Sequence, residues 1–213
     1  MSNPTLEDDV IAFLSDMADS ISIFIRKISG NELEKKTLAE FQPGSVVKIG
    51  SHEMVVLDQE LLDGKTLLIR KELVKEEVAF GASNNNYVGS NVESNCQEFA
   101  DAIAELVGDE NIIRHSLDLT ALDGLKDYGT IADCSASLLT LSMYQRYVDI
   151  LDQHKPDSWW WLATANSTKR HGNDRGTLCV SPSGYIFFDI YNGGHGVRPF
   201  CIFDSSIFES SEA

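Results

Sequence analysis

The chain has 213 residues, 43% of them hydrophobic and 23% charged, enough apolar material to bury a core and too much for disorder throughout. Lys and Arg total 17 against 33 Asp and Glu, a formal net charge of -16. That charge excludes duplex nucleic acid as the main partner, because a phosphate backbone calls for a basic stripe. The absence of any long apolar run excludes a membrane helix, and an acidic start from Met1 to Asp9 argues against a Sec signal.

Between Asp9 and Gly30 the residues Val10, Leu14, Met17, Ile21, Phe24 and Ile28 follow the seam of a heptad helix. Thr5 or Asn3 caps it and Gly30-Asn31 ends it, so an amphipathic helix is expected over 5–29, within an N-terminal helical segment 1–43. Ile11, Phe13, Ala18, Ile23 and Ile25 widen the stripe, which leaves two partners open: its own domain, or a second copy in a homo-oligomer.

Beyond Pro43-Gly44 the period becomes that of strands. Val46 to Ile49, Met54 to Leu57 and Leu67 to Ile69 read as a three-stranded meander separated by Gly-containing turns. Phe80 to Ser90 is a polar loop leading to Ser90 or Asn91 as the cap of a helix whose apolar face is Val92, Cys96, Phe99, Ile103 and Leu106. Its other face carries Glu93, Glu98, Asp101 and Glu105, and Gly108 stops it. Asp118 to Asp133 reads as loop. Thr140 caps a second helix carrying Leu141, Tyr144, Val148 and Leu151, closed by Pro156. From Trp159 the segments are short, aromatic and Gly-punctuated, with strands expected over Gly176 to Pro182, Tyr185 to Tyr191 and Val197 to Phe203. A short Ser/Glu tail closes the chain at 209–213.

Trp159-Trp160-Trp161-Leu162-Ala163-Thr164, the Val180 to Gly184 strand-turn and Gly196-Val197-Arg198-Pro199 occur together. The combination resembles an uncharacterised domain family frequent in phage and gut-bacterial proteins, with a Trp-Trp-Leu-Arg-Ser and Gly-Val-Arg-Pro signature. Ala163 stands where many members have Arg, so no role carries over from that Arg. The family's ending is similar to that of C-type-lectin-like folds, including formylglycine-generating-enzyme-like domains. The resemblance therefore implies an α+β, lectin-like mixed domain over 44–208, with short antiparallel strands and two helices. It also implies Trp159, Trp160, Trp161, Gly184, Gly196, Arg198 and Pro199 as structural signature positions, and a phage or prophage origin. The expected location is the cytoplasm of a host cell or a virion.

Arg198 precedes Pro199, which holds it extended and aims its guanidinium, so an internal ion pair or a carbonyl clamp is expected there, with recognition of a carboxylate or phosphate as the alternative. The densest basic patch in this acidic chain is the loop Asn166 to Arg175. Loops between rigid strands are where binding groups gather. Lys169, Arg170, His171, Asn173 and Arg175, with Tyr191 and His195 beside them in the pattern, are the candidate ligand-binding residues. No catalytic residue is assigned, since neither His171 with Asp174 nor His195 with Ser181 has a nucleophile-elbow context. The histidines lack ligand spacing, Gly172-Asn173-Asp174 stands without a second carboxylate-rich calcium segment, and the four cysteines form no Cys-x-x-Cys pair. No metal or cofactor is expected, and the thiols are expected free and buried. The expected function is a non-catalytic module recognising a protein or glycan through the 166–195 hairpin. An acidic regulator or anti-defence protein that occupies a basic host protein is the alternative, and a Cys- or metal-dependent oxidoreductase is a third class.

Overall fold

Consecutive apolar pairs such as Val55-Val56, Leu67-Leu68 and Trp160-Trp161 face opposite ways in a strand, so sheets built from them need cover on both sides. The computed structural model, which describes residues 36–60 and 63–207, shows where that cover comes from. β1 (Val46–Ile49), β2 (His52–Asp58) and β3 (Lys65–Arg70) form the expected antiparallel meander. β13 (Pro199–Asp204) joins it beside β3, and β5 (Ile112–Ile113) and β8 (Ala136–Leu138) share the far edge of β13. A second sheet runs in the order β11 (Ile186–Ile190), β10 (Gly176–Val180), β9 (Trp160–Ala165), β12 (Gly194–Val197) and β4 (Lys75–Ala79). It is antiparallel except where β12 lies parallel to β9. β6 (His115–Asp118) and β7 (Thr130–Cys134) make a separate hairpin.

Two apolar clusters lie on opposite faces of both sheets. One joins Val56, Leu68, Trp161 and Cys179 to the helix α1 (Asn91–Val107). The other joins Val55, Leu67, Trp160 and Leu178 to α2 (Leu141–Arg146) and α3 (Val148–Leu151). Ser90 is the cap of α1, its hydroxyl accepting from the Glu93 N–H at 3.1 Å. Thr140 caps α2 through the Met143 N–H. The single helix expected from Thr140 to Leu151 breaks at Tyr147, whose hydroxyl donates to Asp58 at 2.8 Å. Leu106, expected on the buried face of α1, is exposed.

The α+β, lectin-like fold expected from the sequence is corrected by this architecture. Thirteen strands in three sheets dominate the described residues, and the helices are short covers. The missed strands explain the error. β4, Lys-Glu-Glu-Val-Ala, turns three charged side chains to solvent and buries only Val78 well, while β7 lies almost wholly in the 118–133 stretch expected as loop and β6 meets that stretch only at Asp118. The compact unit begins at Lys36, ahead of the expected boundary at 44. Leu38 is fully buried there, its N–H donating to Ile207 and that of Ala39 to Ser205. The helix expected over 5–29, with the self-association assigned to it, and the 209–213 tail lie outside the described residues. Among those residues no helix is long and apolar enough to cross a membrane.

The chain passes from one sheet to the other between β12 and β13, at Arg198. The guanidinium there is a carbonyl clamp, with Nε donating to the Arg70 carbonyl at 2.8 Å and Nη2 to the His154 carbonyl at 2.7 Å. It lies 5.3 Å from the centre of the Trp160 ring, an arrangement that offsets part of its desolvation. Burial still lowers its pKa to about 10.

All four cysteines are free and buried. Burial pushes Cys96 and Cys179 up to about 12, Cys134 up to about 11, and Cys201 higher still. Because the thiolate is the reactive form, the native protein should give no thiol reaction with Ellman's reagent at mildly alkaline pH, and four equivalents once unfolded in guanidinium chloride. A fast-reacting thiol in the native protein would restore a reactive cysteine to consideration.

Candidate functional site

The loop 166–175 leaves β9 and returns into β10, and a single buried amide fixes its base. Asn85, fully buried, donates through Nδ2 to the carbonyls of Ser167 at 2.9 Å and Gly176 at 2.6 Å. Its Oδ1 accepts from the Tyr128 hydroxyl at 2.5 Å, and its backbone N–H donates to Asp174. Burial, followed by the charges of Asp174 and Asp127, raises the Tyr128 hydroxyl to about 12, so it stays a donor. Two carboxylates from the 119–129 loop hold the other side. Asp123 accepts from the Ser167 hydroxyl at 2.5 Å and lies 3.0 Å from His171 Nδ1. Asp127 accepts from the Thr168 hydroxyl and sits 3.9 Å from the Arg170 guanidinium. The Ser167 hydrogen bond, chiefly, holds the Asp123 carboxyl below the usual carboxylate range.

This docking changes the electrostatics expected of the basic patch. Arg170 and His171 each face a carboxylate, whereas Lys169 and Arg175 are exposed with no carboxylate within 4 Å among the described residues. Asn173 is exposed, its Oδ1 accepting from the Arg175 N–H at 3.3 Å. Tyr191 departs from the expectation, because its ring packs inward against the core. Its backbone ties β11 to its surroundings, the N–H donating to Arg175 and the carbonyl accepting from Gly81.

His195 also stands apart from the loop. Its ring is mostly buried, 4.4 Å from that of Trp161 and stacked 5.8 Å from that of Trp159. Nε2 lies 3.0 Å from Asp189 Oδ2 but off the line a hydrogen bond requires, so the contact is electrostatic. Burial outweighs that charge and lowers the imidazole pKa. Neither imagined catalytic pair forms as a hydrogen bond: His171 meets Asp123, and the Ser181 hydroxyl accepts from the Tyr185 N–H.

The signature positions divide. Trp160 and Trp161 are buried in opposite clusters, and the Trp161 indole donates to the Val78 carbonyl at 2.7 Å. Gly196 donates to the Trp159 carbonyl at 2.7 Å, which sets the parallel pair, and Pro199 opens β13 opposite Leu138. Gly184 has φ of 85° in the turn before β11, a conformation costly for other residues, and a Cβ there would lie 2.9 Å from an Asp152 oxygen. Trp159, expected with the structural set, is instead partly exposed, its ring against Phe187 at 5.2 Å.

Sequence reading missed the most apolar surface. Tyr185, Ile186, Phe187, Phe188 and Ile190 are 38–69% exposed along the edge strand β11. The run Tyr-Ile-Phe-Phe-Asp-Ile has the pattern of a strand buried on both faces; its place at the sheet edge cannot be read from local pattern. Two clefts accompany the site. One of about 350 Å³ lies beside Trp159 and His195, lined by Glu76, Glu77 and Asp157. Another of about 400 Å³ lies between the 118–126 segment and α2, with Thr140 and Thr164 committed to capping α2.

Because the Asn85 amide has no solvent to fall back on, Asn85→Ala should cost about 2–4 kcal/mol in urea denaturation. His171→Ala, on the exposed side of the same loop, should cost less than about 0.5 kcal/mol. Equal effects would show that the loop is not anchored through the amide.

No family model, curated protein or solved structure matches the chain.

Proposed function

We propose that this protein is a non-catalytic binding module that recognises an acidic protein surface or an anionic glycan through the loop 166–175. The observation that carries this reading is the pre-organisation of an exposed basic loop by a buried amide: Asn85 fixes both ends, and Lys169 and Arg175 project without carboxylate partners among the described residues. A loop already held in its bound shape loses little conformational entropy on association, which favours recognition over a floppy polar tip. In a chain of net charge -16, Lys169, Arg170 and Arg175 balance Asp123, Asp127 and Asp174 here, so the loop is close to neutral and repels an acidic partner less than the rest of the surface does. Arg175 suits a bidentate carboxylate or sulfate, and Lys169 a point contact.

The test is capture on a glycan array and from bacterial lysate, comparing the native protein with the triple variant Lys169→Ala/Arg170→Ala/Arg175→Ala. The variant should lose the captured partner while its melting temperature moves by no more than a few degrees, since surface changes usually cost under about 0.5 kcal/mol each. Native binding should also weaken as salt rises. Unchanged capture by the triple variant would remove the loop from the binding site.

A further inference from the structure

We infer that β11 is a self-pairing edge, through which two copies of this chain join antiparallel into one continuous sheet. The backbone of β11 sets the register. Ser181 N–H donates to the Tyr185 carbonyl and Tyr191 N–H to the Arg175 carbonyl, so the odd-numbered residues of the strand turn their polar groups toward β10. Ile186, Phe188 and Ile190 turn theirs outward. Those of Ile190 are spent, its N–H on Asp189 Oδ1 at 2.7 Å and its carbonyl on the Gly193 N–H at 2.8 Å. The open groups are those of Ile186 and Phe188, and two such windows match when the two-fold axis passes through Phe187.

In that register Ile186 exchanges both backbone hydrogen bonds with Phe188 of the second copy, and Phe188 with its Ile186. A register centred on Phe188 would instead require the occupied groups of Ile190. The side chains agree with the Phe187 axis. Phe187 meets its own copy on the face that carries Trp159, while Ile186 and Phe188 meet on the opposite face. Asp189 falls opposite Tyr185 of the second copy, so no carboxylate of the strand confronts another. The edge also lacks the Lys or Pro with which unpaired edges are kept apart, and its one charge, Asp189, is turned to His195. Counting ring areas, the exposed apolar side chains of the two copies offer roughly 900 Å² for burial, near the lower bound for a specific interface. An interface of that size belongs to the weak, reversible class. The loops 166–175 lie outside the paired strand, so pairing doubles the recognition sites without depending on what they bind.

Sedimentation velocity of the full chain across a concentration series tests the pairing. The native protein should pass from monomer to dimer, more tightly at higher salt, because screening relieves the repulsion between two chains of net charge -16 and leaves apolar burial intact. Phe188→Pro removes an outward N–H and leaves the β10 ladder whole; it should weaken dimerisation at least about thirtyfold. Phe188→Lys, which keeps the backbone donor, should do the same should the proline variant fold poorly. Phe187→Cys should cross-link to its own copy under mild oxidation, since the non-hydrogen-bonded pair brings these positions within disulfide reach. A native protein that stays monomeric, a dimer that survives both Phe188 variants, or a Phe187→Cys protein that fails to cross-link would each overturn the proposal.

Discussion

The guanidinium of Arg198 stands where the chain leaves the five-stranded sheet as β12 and enters the six-stranded sheet as β13, and the rest of the architecture depends on that passage. It is fully buried and hydrogen-bonds the carbonyl at the end of β3 and the carbonyl of His154 beyond α3. A charge so placed is costly unless its donors are met, and here two carbonyls and the Trp160 ring meet it. The same residues would lose their partner together if the side chain were removed. Sheet junction, β3 end and helix exit are thereby coupled through one group.

From this junction the placement of the candidate surface follows. With β12 fixed, Gly196 can lie beside Trp159 and Trp160, and β9 carries β10 and β11 out to the sheet edge. The sheet curls enough that Phe187 and Asp189 on β11 meet Trp159 and His195, although three strand pairings separate β11 from β12. The rigid frame lets an exposed loop keep its shape: Asn85 grips both ends of 166–175 while Asp123 and Asp127 brace its side. The loop proposed for recognition joins β9 to β10, and the edge proposed for self-pairing is the next strand, so the two occupy different parts of one sheet.

Local chemistry was the legible part of the sequence. Ser90 and Thr140 cap their helices because a hydroxyl before an apolar-periodic run has free N–H groups to satisfy, and the meander shows in its turn glycines. The neighbouring proline leaves the carbonyl clamp at Arg198 as one of three outcomes, beside an ion pair and anion recognition, whereas its partners, Arg70 and His154, come from distant segments. Long-range and edge effects were hidden. Nothing near Lys169 to Arg175 announces that Asp123 and Asp127 dock against them, and β4 conceals its strand behind charged side chains. β11 was read as a strand, but whether a neighbour covers it is a property of the whole sheet. The inward turn of Tyr191 was invisible for the same reason.

Native-state hydrogen exchange on Arg198→Met tests the central claim most directly, because methionine keeps the apolar stem and removes the clamp. The account predicts that amides in β2 and β3 of one sheet and in β9 and β10 of the other lose protection by the same free energy, about 3–5 kcal/mol, as one cooperative unit. Loss confined to one sheet, with the other keeping its native protection, would contradict it.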